Sequence, residues 1–433
     1  LHTMNIAEIG IHCISVASIL YTYSRFHRDP FSIFRFSAFC YAVVLLGGVS
    51  VVLIGDALFG FKMPINSIRL IFVDCLIGLL IIHAARAGMA LVFGNRPAGA
   101  VALQSDQRWA MGALAAISVL SITIFAAANG VSFGQTDYEY RYEAARGWGP
   151  LIMLMPAFLP FAFYAIFNSK SFISYVVISL GAMAIGLFTY FVLSGYRQIF
   201  IGTVIATCCV AMHRNYIKIW HLSPGLAAFF AFIIGLSFLR YSGDSGAADF
   251  DSIGIAAFYY IQGDVFPIDA PMKIREYYDF FGTPPGVDVM FNHILKIVPR
   301  ALWHDKPLIL LDAAGFYTQH VVGYARGVTL SPTMLGEGYL VGGSMAFYVS
   351  CLLGSAVLYL LDLFRTRGGR AAFYFVGSCV YGGFFFVREG FSELVLRAFF
   401  ILAFFLIYAC LRYFFQGLPR RRSEVVRHPS RQI

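Results

Sequence analysis

The sequence predicts an all-α fold: a polytopic helical membrane bundle of about 11 transmembrane helices with one long, partly helical outer loop. Three observations predict it. First, 59% of the 433 residues are hydrophobic and only 13% are charged, against about a quarter charged in an ordinary soluble domain. Second, the apolar residues are gathered into long runs, many approaching the roughly 20 residues that cross a bilayer. Third, the runs are continuously apolar and far longer than barrel strands, so helices are what satisfies their backbone groups in lipid. This composition excludes a cytosolic enzyme, a secreted disulfide scaffold and a disordered chain.

In chain order the apolar segments fall at about 6–23, 36–59, 68–85, 109–128, 150–167, 172–193, 199–213, 224–239, 333–361, 371–387 and 395–415. The first lacks a basic leader and a small-residue cleavage site and reads as a retained span rather than a signal peptide. The third carries Asp74; a carboxylate there is costly unless paired, which predicts an ion pair with a neighbouring helix. The eight cysteines all lie within apolar stretches, without metal-type spacing, and read as small apolar residues. In the last segment Arg397 stands four residues after Glu393, the spacing of a same-face helical pair. The whole chain, 1–433, reads as a single integral membrane domain.

The net charge of +9 is distributed as a topology signal. Alternate short loops hold Arg25, Arg28 and Arg35; Arg86, Arg96 and Arg108; Lys170; Arg214 and Lys218; and Arg365, Arg367 and Arg370. With Arg412 and the five arginines of the tail they make eighteen of the 32 Lys and Arg residues. Basic loops face the cytoplasm, which places the C-terminus inside and, for an odd number of spans, the N-terminus outside. Nucleic-acid binding is not indicated, because the basic residues punctuate apolar segments.

One outer loop, 240–332, is long enough to carry function. Its aromatics and seven prolines mark ordered turns. Met290, Phe291, Ile294, Leu295 and Val298 recur at helical spacing with Asn292 and Lys296 opposite, an amphipathic helix lying on the bilayer or on the bundle. Residues 253–261 form a second short apolar stretch. Between Pro299 and Pro307 stand Arg300, Trp303 and Lys306. Arginine forks and lysine point charges suit phosphate, and an indole suits a sugar ring; the plainer reading is an interfacial anchor. Other outer cations are Arg197, Arg240, Arg275, Arg326, Arg388 and Arg397, each by itself a snorkelling or salt-bridged residue, together an anion site. Candidate acid or base groups are Glu337, flanked by Gly336 and Gly338 at a span's outer end, His320, and His293. The plainer reading of each is a hydrogen-bonded structural residue. Asp244, Asp249 and Asp251 read as solvated rather than metal-binding, and no nucleotide-binding loop is present.

These residues carry a family resemblance. Ser194-Gly195-Tyr196-Arg197, the segment Val298-Pro299-Arg300-x-Leu302-Trp303-x-x-Lys306-Pro307, and Gly336-Glu337-Gly338-Tyr339 with Gly342-Gly343 resemble the O-antigen polymerases, the Wzy-type oligosaccharide repeat-unit polymerases of bacterial inner membranes. Arg275 to Gly286 also fits an Arg-x10-Gly pattern of some members. The chain differs from many members in having eleven segments rather than twelve or more, and one long outer loop rather than two. The resemblance implies a fold like the GT-C lipid-dependent glycosyltransferases. It implies a periplasmic reaction between a growing glycan on undecaprenyl pyrophosphate and an acceptor repeat unit on a second carrier. It implies Glu337 or His320 as general base. Arg197, Arg300, Arg326, Arg388 and Lys306 would hold the pyrophosphate, and Arg275, Trp303 and Tyr339 would contact glycan or shape the loop. No cofactor or metal is called for. A chain-length-regulating co-polymerase and a flippase are the implied partners. The alternatives are an O-antigen ligase, which the sequence barely separates from a polymerase, and a lipid-linked oligosaccharide flippase, which the absence of repeats disfavours.

Overall fold

The computed structural model describes residues 6–59, 65–94, 103–131, 147–193, 198–216, 266–296, 298, 303–307, 310–323 and 330–416. Among them every regular element is helical. The elements are α1 (Ile6–His27), α2 (Ile33–Tyr41) continued through a π turn (Ala42–Leu46) into α3 (Gly47–Phe59), α4 (Ile65–Phe93) and α5 (Ser105–Asn129). Then come α6 (Gly149–Leu154), joined by a 3-10 turn (Met155–Ala157) to α7 (Phe158–Phe167), α8 (Phe172–Val192) and α9 (Gln198–His213). The outer loop contributes α10 (Asp269–Phe281), α11 (Asp288–Leu295) and α12 (Ala313–Phe316), the last continued by a π turn (Tyr317–Val321). The bundle closes with α13 (Thr333–Arg367), α14 (Arg370–Ser378), α15 (Gly382–Glu389) and α16 (Phe391–Gln416).

Eight of the described helices are long and apolar enough to cross a membrane, nine if α14 and α15, bent by 42° at their junction, count as one broken span. α9 has 16 residues and so rises only about 24 Å, short of the roughly 30 Å hydrocarbon core. Ten of the eleven expected segments therefore coincide with helices; the segment 224–239 lies outside the described residues. Lipid explains a surface that water would not tolerate: Leu20, Leu80, Val177, Met345 and Leu406 are all more than half exposed. All eight cysteines are free thiols.

Polar side chains set the helix ends. Ser32 and Ser171 accept the backbone N–H three residues on, at the starts of α2 and α8. Gln104 and Gln107 form a reciprocal capping box ahead of α5. At the basic end of the bundle Asp362 accepts from Ser32 Oγ and from the N–H of Ile33 at 3.2 Å, closing the N-terminus of α2. Arg365 ties Asp362 at 3.2 Å to Asp29 at 2.7 Å, and Arg412 reaches Asp106 at 3.0 Å. Phe31, Phe163, Phe167, Phe373 and Tyr374 pack edge to face beside them. The short basic loops thus cluster at one end, and the helices of the long loop sit at the other.

The expected ion pair of Asp74 is not what the structure shows. Its carboxylate accepts three hydroxyls: Tyr339 at 2.5 Å, Ser344 at 2.7 Å and Tyr348 at 2.5 Å. Hydroxyl donors serve because α13 presents them on both sides of a break. Gly342 is extended and Gly343 has φ +77°, so α13 is two helices meeting at a kink. Three hydrogen bonds to a charged acceptor compensate its desolvation as a cation would.

Candidate functional site

The segment of α13 before the break carries Glu337. It starts at Thr333, whose φ of +66° is unusual for a β-branched residue; Thr333 Oγ1 accepts the Gly336 N–H at 3.2 Å. The flanking glycines do allow close approach, but of the chain itself. A Cβ at Gly336 would stand 2.9 Å from Ile274 Cδ1 on α10, and one at Gly338 2.5 Å from Phe347 Cα beyond the break.

Glu337 is fully buried. It accepts from Phe391 N and Ser392 Oγ, and from Ser392 N at 3.3 Å. Those donors are the first N–H groups of α16, where a helix has unsatisfied donors and a positive dipole end. Gly390, with φ +124°, makes room: a Cβ there would lie 2.3 Å from Glu337 Oε2.

Next to Ser392, in the same first turn of α16, stands Glu393. Its carboxylate takes Arg397 Nε at 2.6 Å, the pair expected from spacing, and His293 Nε2 at 2.8 Å. His293 belongs to α11, and its Nδ1 lies 3.1 Å from Asp312 at the start of α12. Asp312 also pairs with Lys296 and caps α12 by accepting the Gly315 N–H at 2.8 Å. Burial alone would discharge the imidazole, but hydrogen bonds to Asp312 and Glu393, with their charges, raise its pKa to about 10. Burial likewise works against the Asp312 charge, and His293 and Lys296 overcome it, holding that carboxyl well below its usual range. The polar side of α11, with Asn292 bonded to the Leu311 carbonyl at 2.9 Å, therefore faces the bundle, while Phe291 is exposed.

Arg388 and Glu389 end α15 beside this cluster. The Arg388 guanidinium is 3.9 Å from Glu389 Oε1, with side chains 17% and 28% exposed. Ser331 donates its hydroxyl to the Arg388 carbonyl, linking the end of the long loop to the same corner. Five elements, α11, α12, α13, α15 and α16, thus bring Glu337, Glu389, Glu393, Asp312, His293, Lys296, Arg388 and Arg397 into one mixed-charge corner. Such a corner can hold an anion by its cations and accept a proton at a carboxylate that solvent reaches.

The expected site residues fall in different places. Glu337 and Arg388 belong to this corner. Lys306 donates to the carbonyls of Lys296 at 2.9 Å and Val298 at 2.8 Å, closing the end of α11. Trp303 is half-buried nearby in sequence, its carbonyl accepting from Lys306 N. Tyr339 is buried with its hydroxyl on Asp74, so it supports the kink of α13. Arg275 is half-buried on α10. His320 is exposed at the end of the π turn, against the Phe316 ring at 4.8 Å. Arg197, Arg300 and Arg326 lie outside the described residues, as do the stretch 253–261 and Asp244, Asp249 and Asp251. The sequence reading passed over Glu389 and Asp312. The cluster Arg388-Glu389-x3-Glu393-x3-Arg397, four ionisable residues within ten positions between two apolar runs, is the signal that could have marked the first of them.

The profile of the WzyE protein, O-antigen assembly polymerase, matches residues 94–422 of the chain. No solved structure matches the chain.

Proposed function

The chain belongs to the WzyE family of O-antigen assembly polymerases, and from that premise we propose that it joins lipid-linked oligosaccharide repeat units at the loop end of the bundle, in the periplasmic leaflet of the bacterial inner membrane. The donor is a glycan on undecaprenyl pyrophosphate and the acceptor a repeat unit on a second carrier. A hydroxyl of the acceptor's non-reducing-end sugar attacks the donor's anomeric carbon. The bond from that carbon to the pyrophosphate oxygen breaks, and its electron pair leaves with the lipid pyrophosphate. The energy resides in that linkage, so neither nucleotide nor metal is needed for the step.

The observation that carries this reading is the mixed-charge corner, in a chain of this family, at the end of the bundle where the long loop docks. Preorganised cations aimed at a leaving pyrophosphate stabilise the charge that develops there. Arg388 supplies one from within the corner. Arg197, Arg300 and Arg326 are the further candidates from the sequence. Lys306, bonded to carbonyls, serves by shaping the Pro299–Pro307 segment. The basic ends of the helices and the tail face the cytoplasm, which leaves the C-terminus inside. A chain-length-regulating co-polymerase and a flippase are the expected partners.

The test is deletion of the gene in a strain that otherwise makes the polymer. Loss of a polymerase leaves single repeat units attached to the lipid core, whereas loss of a ligase leaves none attached. Complementation with Arg300→Ala is expected to abolish long chains and Arg300→Lys to restore part of them; full-length polymer with Arg300→Ala removes that guanidinium from the reaction.

A further inference from the structure

We propose that Glu389, rather than Glu337, is the catalytic base that takes the acceptor hydroxyl's proton; this rests on the polymerase reading above. A general base must present a free acceptor oxygen where substrate can reach it. Glu337 does not: it has no exposed surface, and its two oxygens take the donors of Phe391 and Ser392. Glu393 is engaged by Arg397 and His293, and Asp312 by His293, Lys296 and Gly315. Both are buried. Glu389 is the exception in this corner. The Arg388 guanidinium stands 3.9 Å from its Oε1, too far for a hydrogen bond; Glu393, Arg397 and His293 act on it only through their charges, and its side chain is 28% exposed.

Its position is fixed from behind. Glu389 is the last residue of α15, and Gly390 after it lies against the Glu337 carboxylate. Glu337 thereby holds the junction of α15 and α16 and serves as a positioning residue for Glu389. Arg388 beside it sets a cation for the leaving pyrophosphate next to a base for the attacking hydroxyl, the two charges that the displacement needs. In the step, the acceptor O–H bond breaks as the oxygen bonds the anomeric carbon. The proton passes to a Glu389 carboxylate oxygen, and the electron pair of the old glycosidic bond departs on the pyrophosphate.

The experiment uses the full chain in lipid nanodiscs with a purified undecaprenyl-pyrophosphate-linked repeat unit, reading kcat, KM and the pH profile of chain growth. Glu389→Gln is expected to lower kcat on the order of 100-fold or more, to leave KM within about twofold, and to lose the acidic limb of the profile. Glu389→Asp should retain intermediate activity with that limb present. Glu276→Gln, on the exposed side of α10, is the control. Wild-type kcat in Glu389→Gln, or a defect confined to KM, overturns the assignment while leaving the polymerase intact. A wild-type chain that binds the lipid-linked unit but never joins two of them overturns the polymerase reading itself, and the role of Glu389 with it.

Discussion

Glu337 closes the N-terminus of the last helix: its carboxylate sits on Ser392, taking both the side-chain hydroxyl and the backbone N–H, the latter at 3.3 Å. At the other end of α13, Asp362 does the same for α2. A single long helix therefore organises the bundle by placing one carboxylate at each of two helix starts. The outer carboxylate is the one that holds the proposed site.

Glu337→Ala should destabilise the protein by about 1–3 kcal/mol, the cost of leaving buried donors unmade. The readout is the thermal midpoint in detergent, together with hydrogen exchange at Phe391 and Ser392. An unchanged midpoint would show that water or another group satisfies α16 as well as the carboxylate does.

Gly390→Ala tests the same contact from the other side. Its Cβ would collide with Glu337 at 2.3 Å, in a backbone region that L residues rarely occupy. The cost of strain alone is on the order of 1–3 kcal/mol, and polymer formation should fall with it. Gly112→Ala, where nothing lies within 4 Å, should be neutral or slightly stabilising. Equal behaviour of the two variants contradicts the packing described.

His293 makes a pH prediction with a definite sign. Its folded pKa, raised to about 10, exceeds the unfolded value of about 6.5. Its contribution is therefore complete below pH 6.5, declines as pH rises, and is gone above pH 10. The gap in thermal midpoint between wild type and His293→Ala should shrink over that window. Asp312 works in the opposite sense: its depressed pKa stabilises above the unfolded value of about 3.9 and is lost only in stronger acid. A gap that widens with rising pH would mean that the imidazole is held neutral.

Asp74→Ala strands three hydroxyls around the kink of α13 and should cost about 1–3 kcal/mol. Asp74→Asn, which keeps one acceptor oxygen, should cost less. Protease sensitivity near Gly342 and Gly343 checks this directly, because a loosened kink exposes the backbone there. Identical proteolysis of wild type and Asp74→Ala would show that the glycines hold the bend unaided.

Composition and hydrophobic run length were enough to make this chain a membrane bundle and to locate most of its helices, because lipid permits few alternatives for a long apolar segment. The Arg397–Glu393 pair was legible too, since i,i+4 neighbours share a helix face whatever surrounds the helix. Which carboxylate is sealed and which is open was not legible. Glu337 sits between glycines like a residue awaiting a ligand, yet its partners come from 54 and 55 residues away in α16. Asp74 looked in need of a cation, and its hydroxyl partners lie more than 260 residues further along the chain. Burial and hydrogen-bond saturation are properties of the packed assembly, set by which helix starts meet which side chains. A linear sequence supplies the charged groups, and only tertiary packing decides which of them remains free to react.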